Sequence, residues 1–355
     1  MSREEKKLRK HFEERTKREL RKANKHLSKA RAGEPKPPRE RLVIRWAGDA
    51  DSEFDDPVAV QKAPRKAQEA TGLLAGSVVE IGPGFCDVLC AGERVRCRST
   101  VDAAIGDQVL FSPERRRVGE VMPRRTVLSR PDPHNPNVQR VIAANVDVVV
   151  NVVSLKSPPL RPGLIDRYLI AIGKSGAAPL LCVNKIDLLD GAEELRPLRP
   201  YQDAGIPVYF CSAATGEGLD LLSAALVGKL CVFAGHSGVG KSSLLNALHP
   251  RLSLATGSVS EGNDKGRHTT TSSALYHLPN GAMVIDTPGI REFGLWDVSK
   301  GDVRRYYREF EDYRCAFSDC SHTHEPECGV KAAVESAGIS PARYEGYLRI
   351  VQSLG

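Results

Sequence analysis

Apolar and polar positions follow different rhythms along successive parts of this 355-residue chain. Between residues 71 and 128, short runs rich in β-branched residues recur between turn signals, at 77–81, 85–90, 94–98, 108–111 and 117–122. Five such runs predict short strands closing into a small OB-like β-barrel. Past a Pro-rich joint at 130–136 the rhythm changes to apolar strands alternating with helical stretches, as in a parallel sheet covered by helices. Strands are predicted at 146–154, 180–184, 207–212, 230–234 and 283–286. Leu164, Ile165, Tyr168, Leu169 and Ile172 recur at helical spacing between the first two and read as core. Residues 3–32 are good helix formers with few apolar positions (Leu8, Phe12, Leu20, Leu27), so this arm is a solvated helix or disordered. A Gly-Glu-Pro-Lys-Pro-Pro linker, Gly33 to Pro38, ends it.

Charge sharpens the picture of the arm. The net +7 is concentrated in residues 1–40, which hold 15 Lys and Arg against 7 Glu. Clustered cations of this kind suit a polyanion such as nucleic acid, although a solvated charged helix has the same composition. No apolar run approaches the ~18 to 20 residues of a membrane span. The first ten residues also lack an apolar signal core, so a cytoplasmic protein without a membrane partner is expected. Asp49, Asp51, Glu53 and Asp55 resemble a calcium loop, but Phe54 and Val60 stand where its Gly and bidentate Glu belong.

Candidate chemistry begins at the strand 230–234, which runs into Gly235-His236-Ser237-Gly238-Val239-Gly240-Lys241-Ser242 and then Ser243 in a helix-forming run. This is G-x4-G-K-S in a strand-loop-helix setting, a phosphate-binding loop whose backbone N–H groups cradle a nucleotide. Lys241 is placed to reach the β- and γ-phosphates and Ser242 to ligate Mg²⁺. Asp286-Thr-Pro-Gly289, at the end of another strand, offers a carboxylate toward Mg²⁺ and a backbone N–H toward the γ-phosphate. Between them Gly266-Arg-His-Thr-Thr-Thr271 suits a switch supplying a threonine hydroxyl; Thr270 is favoured, although sequence does not separate the three.

Base identity comes from Asn184-Lys185-Ile-Asp187. A carboxylate at Asp187 accepts from N1–H and the 2-amino group of guanine, a donor pair adenine lacks. Lys185 can lay its stem along the base, Asn184 can brace the loop, and Ser212-Ala213 can offer an N–H to guanine O6. These base motifs precede the phosphate loop, so the expected domain is an α/β P-loop GTPase in circularly permuted order. Cys315-x4-Cys320-x-His322-x5-Cys328 supplies four ligands, the number a closed structural Zn²⁺ site needs, with His324 able to compete with His322. Cysteines crowded in this way suit a metal in a reduced compartment better than a disulfide framework. Ser340 and Pro341 should start a last helix.

Barrel, permuted GTPase and Cys-Cys-His-Cys module, with Gly-His-Ser-Gly-Val-Gly-Lys-Ser, Asn-Lys-Ile-Asp, Arg-His-Thr-Thr-Thr and Asp-Thr-Pro-Gly-Ile-Arg-Glu-Phe-Gly, resemble the bacterial ribosome small-subunit-dependent GTPase A family. The resemblance covers roughly residues 71–355. It implies GTP hydrolysis to GDP, stimulated by the small ribosomal subunit, and a role with its rRNA in late subunit maturation. The expected organisation is multidomain: a basic extension at 1–70, the OB-fold barrel at 71–130, the GTPase domain at 131–295 and a zinc-binding helical module at 296–355, in a monomer. Ile290 stands where Ras-type GTPases carry the Gln that orients water, so slow intrinsic turnover is expected and His268 is the candidate to position water.

Overall fold

The computed structural model describes residues 72–99, 101–132, 135, 138–249, 273–286 and 297–354. The basic arm, Arg267 to Thr271 with His268 and Thr270, and Gly289 and Ile290 lie outside these.

Five strands, β1 (Leu74–Gly82), β2 (Phe85–Cys90), β3 (Glu93–Arg98), β4 (Gln108–Ser112) and β5 (Arg117–Val121), form the barrel. They pair in the order β1-β2-β3-β5-β4, and β4 returns to β1 through Leu74↔Phe111 to Ser77↔Gln108, so the sheet closes on itself. Only the inward side chains of each strand meet the interior, and Val78, Cys86, Val88, Cys97, Val109, Phe111 and Val118 fill it. Gly76 lies where a Cβ would come within 2.4 Å of Val88, so this point of β1 has no room for a side chain.

A hairpin follows, β6 (Val127–Pro131) and β7 (Gln139–Ala144), with the Pro-rich stretch as its connection. Asn145 then stitches barrel to α/β domain: its carboxamide accepts from Arg125 N–H at 2.9 Å and donates to Gly106 O at 2.9 Å.

The second domain places β8 (Val148–Ser154) before helix α1 (Pro162–Ser175), then β9 (Ala178–Asn184), the short α2 (Arg199–Asp203), β10 (Val208–Phe210) and α3 (Leu219–Leu226). The chain continues through β11 (Leu230–Ala234), α4 (Lys241–Leu248), β12 (Ser273–His277) and β13 (Met283–Asp286). Strand order is β10-β9-β8-β11-β13-β12; the first five are parallel and β12 is antiparallel. Parallel strands covered on both faces lose the polar alternation of an exposed sheet, and β8, Val-Val-Val-Asn-Val-Val-Ser, shows it. Pro162 opens α1 and Gly176, in the left-handed region at φ 80°, closes it. β12 also pairs with β1 of the barrel through Glu80↔Ala274 and Ile81↔Ser273, joining the two domains into one sheet of 11 strands.

Residues 297–354 add two single 3₁₀ turns, Val303–Tyr306 and Arg308–Phe310, and helices α5 (Gly329–Glu335) and α6 (Pro341–Ser353). Pro341 starts α6 with Ser340 as its N-cap residue, but the Ser340 hydroxyl makes no capping bond. The module packs on the outer face of α1 around Tyr307, Phe310, Tyr347 and Ile350, with Ile170 of α1 in the same cluster. Arg343 lies at the centre of that contact, 4% exposed, bonded to Asp166 Oδ1 at 2.5 Å and Glu309 Oε1 at 2.7 Å. Its guanidinium lies 4.4 Å from the centre of the Tyr307 ring. Burial pushes the Asp166 carboxyl up to about 6, against the pull of Arg343. Removing either partner leaves a charge in the interior, a change worth roughly 3–5 kcal/mol.

Candidate nucleotide and metal sites

The phosphate loop begins where β11 ends, beside the carboxyl end of β8. Gly235 adopts φ 145°, and a Cβ there would strike the Val152 carbonyl oxygen at 2.2 Å. Gly240, at φ 92°, is the N-cap of α4 and would press a Cβ to 2.3 Å from Asn184 Nδ2. The two glycines let the loop bend tightly against two strands at once. Lys241 Nζ donates to Gly235 O at 2.6 Å and His236 O at 2.9 Å, so its ammonium spans the loop it belongs to. Ser242 and Ser243 follow in the first turn of α4, and Ser237 and Gly238 form the outer bend.

The second set of motifs meets this loop from β9 and β10. Asn184, 1% exposed, donates from Nδ2 to Val239 O at 2.8 Å, and its Oδ1 accepts from Ala213 N–H at 3.1 Å. One carboxamide thus ties the phosphate loop, the β9 end and the β10 end together. Lys185, held at φ 64°, donates from Nζ to Gly238 O and Ser157 O, both at 2.7 Å. Asp187 sits in a single 3₁₀ turn, Ile186–Leu188, and its Oδ1 accepts from the Ser212 hydroxyl at 2.5 Å. The Ser212 oxygen accepts in turn from Thr215 N–H at 3.1 Å. Asp286 ends β13, which runs parallel to β11 in the adjoining position. His268, Thr270 and Gly289 lie outside the described residues.

Sequence reasoning did not find the loop between β8 and α1. Its Ser157 carbonyl receives Lys185, and Arg161 Nη1 lies 3.4 Å from His236 Nε2. Tyr168, 4% exposed, turns its hydroxyl to the Gly235 N–H. A cavity separates α1 from the phosphate loop, lined by Asn151, Leu164, Tyr168, His236 and Val239. Asn151 is buried on β8, and neither polar atom of its carboxamide has a partner among the described residues. The run Ser157-Pro158-Pro159 at a strand end was the one local signal of this loop.

Gly240→Ala is expected to weaken GDP binding at least tenfold and to lower the melting temperature by a few degrees, since a positive-φ alanine costs about 1–3 kcal/mol and its methyl displaces Asn184. Titration with a fluorescent GDP analogue measures it; unchanged affinity would separate Asn184 from nucleotide binding.

Cys315, Cys320, His322 and Cys328 form the one cysteine and histidine cluster among the described residues, with one ligand atom of each within 4.8 Å of the others. Cys315 Sγ lies 3.8 Å from Cys328 Sγ, and His322 Nδ1 lies 3.5 and 3.4 Å from the two sulfurs. A tetrahedral zinc with ordinary bond lengths requires edges of about 3.8 Å between sulfurs and about 3.5 Å between sulfur and nitrogen. The cluster fits a structural zinc. His322, at φ 57°, is buried and its pKa is lowered by that burial; His324 points outward, 85% exposed. Burial pushes Cys320 up to about 12, whereas at Cys315 burial is outweighed by the backbone N–H groups of Val330 and Gly329 together with the Cys320 and Cys328 thiols, which lower it. Glu325 braces the loop by accepting from Ser321 N–H at 2.8 Å and Thr323 N–H at 3.1 Å. Those donors hold its carboxyl far below the ordinary range despite burial. The remaining six cysteines are free thiols. Burial pushes Cys86 up to about 11 and Cys231 up to about 12, so both are poorly ionised.

A phosphate loop clasped by an Asn-Lys-x-Asp loop that precedes it in the chain defines a circularly permuted P-loop GTPase, flanked by a closed barrel and a zinc-fitting module. The RsgA GTPase family matches residues 121–296. The Small ribosomal subunit biogenesis GTPase RsgA of Haemophilus influenzae (strain PittEE) is 41% identical over 280 residues, covering 74% of this chain and 80% of that protein. The protein of that name from Pseudomonas putida is 42% identical over 277 residues, covering 74% and 79%. Among solved structures, YjeQ from Thermotoga maritima is 34% identical with a TM-score of 0.67, covering 79% of this chain and 98% of that one. YloQ, described as a circularly permuted GTPase, is 28% identical with a TM-score of 0.63, covering 79% and 95%. The chain belongs to the RsgA GTPase family.

Proposed function

We propose that this GTPase acts in maturation of the small ribosomal subunit, where contact with the subunit and its rRNA stimulates hydrolysis of GTP to GDP. The observation that carries the reading is the Asn184 clasp: base-reading and phosphate-binding loops share one buried carboxamide, so a guanine nucleotide seated in one is registered against the other. The matched relatives carry subunit biogenesis in their names.

In this reading Gly235, His236, Ser237, Gly238, Val239 and Gly240 wrap the phosphates, and Lys241 leaves its carbonyl partners for the β- and γ-oxygens. Ser242, Thr270 and Asp286 hold Mg²⁺, which when bound neutralises charge developing between the β- and γ-phosphates, with Ser243 beside them. Asp187 reads the base, Lys185 lies along it, and Ser212 and Ala213 bound its far edge. With Ile290 in place of a water-orienting Gln, His268 positions the attacking water once the switch is ordered on RNA. Cys315, Cys320, His322 and Cys328 hold one Zn²⁺, which when bound cross-links the module. The protein works as a cytoplasmic monomer, and its basic arm adds cationic contact with RNA; among the described residues no helix is long and apolar enough to cross a membrane.

Steady-state GTP turnover, alone and with purified small or large subunits, tests this. Small subunits alone should stimulate it by an order of magnitude or more, and His268→Ala should remove most of the stimulation without weakening docking. Equal turnover in all three mixtures would move the function to a different partner.

A further inference from the structure

The described residues contain one helix that touches both the phosphate loop and the zinc-fitting module. On one side of α1, Leu164 and Tyr168 face the loop, the Tyr168 hydroxyl meets the Gly235 N–H, and Arg161, at the helix start, approaches His236. On the other, Asp166 is bonded to Arg343 of α6 at 2.5 Å, and Ile170 enters the module's core. Two residues along a helix is a rotation of about 200°, so Asp166 and Tyr168 leave nearly opposite faces of the same rod.

The two faces are not equally tight. The face toward the phosphate loop borders the cavity beside Asn151, whose carboxamide has no partner among the described residues, while further along Ile165, Tyr168, Leu169, Ala171 and Ile172 seat the helix on the sheet. The outer face is closely fitted. Gly346 of α6 would bring a Cβ within 2.4 Å of Asp166 Oδ2, and Arg343 is shared between Asp166 and Glu309 with a ring on its face. Beside the cavity, where the loop gives the start of the helix little support, the outer contact shares in setting its position.

We propose that Asp166 and Arg343 are a positioning pair for the nucleotide site: by fixing α1 from outside they set where Tyr168 and Arg161 meet Gly235 and His236. Neither residue touches nucleotide. The seating of the C-terminal module is therefore a determinant of nucleotide affinity, and anything that shifts the module alters the phosphate loop through one helix. Arg343 is chosen over lysine for this place because its planar fork serves two carboxylates at once.

A double-mutant cycle tests it, using Asp166→Asn, which keeps the shape and removes the charge, and Tyr168→Phe, which removes only the hydroxyl. Affinity is read with a fluorescent GDP analogue, KM and kcat by GTP turnover, and folding by bound zinc and melting temperature. Each single variant should weaken GDP binding about threefold to tenfold, and the double variant should depart from the product of the two by more than about threefold. Arg343→Lys should fall between wild type and Asp166→Asn. Arg167→Ala, which breaks an exposed bond from α1 to Ser353 at the end of α6 and leaves the buried Asp166–Arg343 pair intact, should leave affinity unchanged. Additive effects, or lower melting temperature with unchanged GDP affinity, would leave the pair a purely structural contact and overturn the proposal. If Asp166→Asn fails to fold, Glu309→Gln, which loosens Arg343 from the module side, goes through the same cycle with the same two outcomes.

Discussion

Replacing Asp187 with Asn should abolish useful GTP binding while the protein stays folded. The Asp187 carboxylate already accepts the Ser212 hydroxyl through Oδ1 at 2.5 Å, and an Asn oxygen can keep that bond. The other position becomes an N–H donor toward the 2-amino group of a bound guanine, donor against donor. A site that reads paired polar groups rejects the wrong partner by roughly 10⁴–10⁵-fold, so a loss of at least about 10³ is expected here. Xanthosine triphosphate, with a carbonyl at the same position, should recover most of the affinity. Competition of the two nucleotides against a fluorescent GDP analogue gives the comparison directly. Retained GTP binding within a few-fold would remove Asp187 from base recognition.

Stripping zinc should be the second large effect, because the four ligands are wired into the module's core. Cys320 and Cys328 are buried, Phe310 sits edge-on to His322 at 5.4 Å between ring centres, and Tyr347 donates to Ser321 O at 2.5 Å. Structural zinc sites contribute apparent binding free energies of about 10–16 kcal/mol at neutral pH, more than a module of this size can replace by burial. Chelation should therefore collapse the near-ultraviolet signal of Tyr307, Tyr344 and Tyr347 in proportion to zinc lost. Acid should act in the same direction. The ligands bind deprotonated, and Glu325, held below its ordinary value in the fold, contributes stability above its unfolded pKa that is lost as pH falls through the folded value. Zinc content by mass spectrometry, followed against the tyrosine signal from pH 8 downward, gives the comparison. A full tyrosine signal in metal-free protein would show that the cluster does not depend on a metal.

Local chemistry made much of this legible. The runs 85–90 and 230–234 coincide with β2 and β11, since short apolar runs flanked by glycine leave few other choices. Glycines and capping positions placed the phosphate loop at the start of α4 for the same reason. What escaped was set by distance. Nothing near Asp166 announces Arg343, 177 residues later, and α1 reads as an ordinary amphipathic helix with one buried acid. The hairpin β6 and β7 was hidden by its prolines, which mark a turn whether or not strands flank it. β12 was missed because Ser-Ala-Leu-Tyr-His is only weakly apolar, and its place in the sheet is given by neighbours on both sides. Lys185 was read as a partner for the base; its bonds to Ser157 and Gly238 carbonyls, which hold the β8–α1 loop against the phosphate loop, belong to tertiary structure alone.

The seam between β1 and β12 turns the barrel into a handle. Two backbone register pairs, Glu80 with Ala274 and Ile81 with Ser273, are one route, beside the Asn145 bonds, by which a twisting load on the barrel enters the nucleotide-binding domain. Ser273 stands two residues after Thr271, so this route, unlike the shared core, delivers load close in sequence to Thr269, Thr270 and Thr271. A surface that grips the barrel gains a short mechanical arm onto that segment without touching the nucleotide.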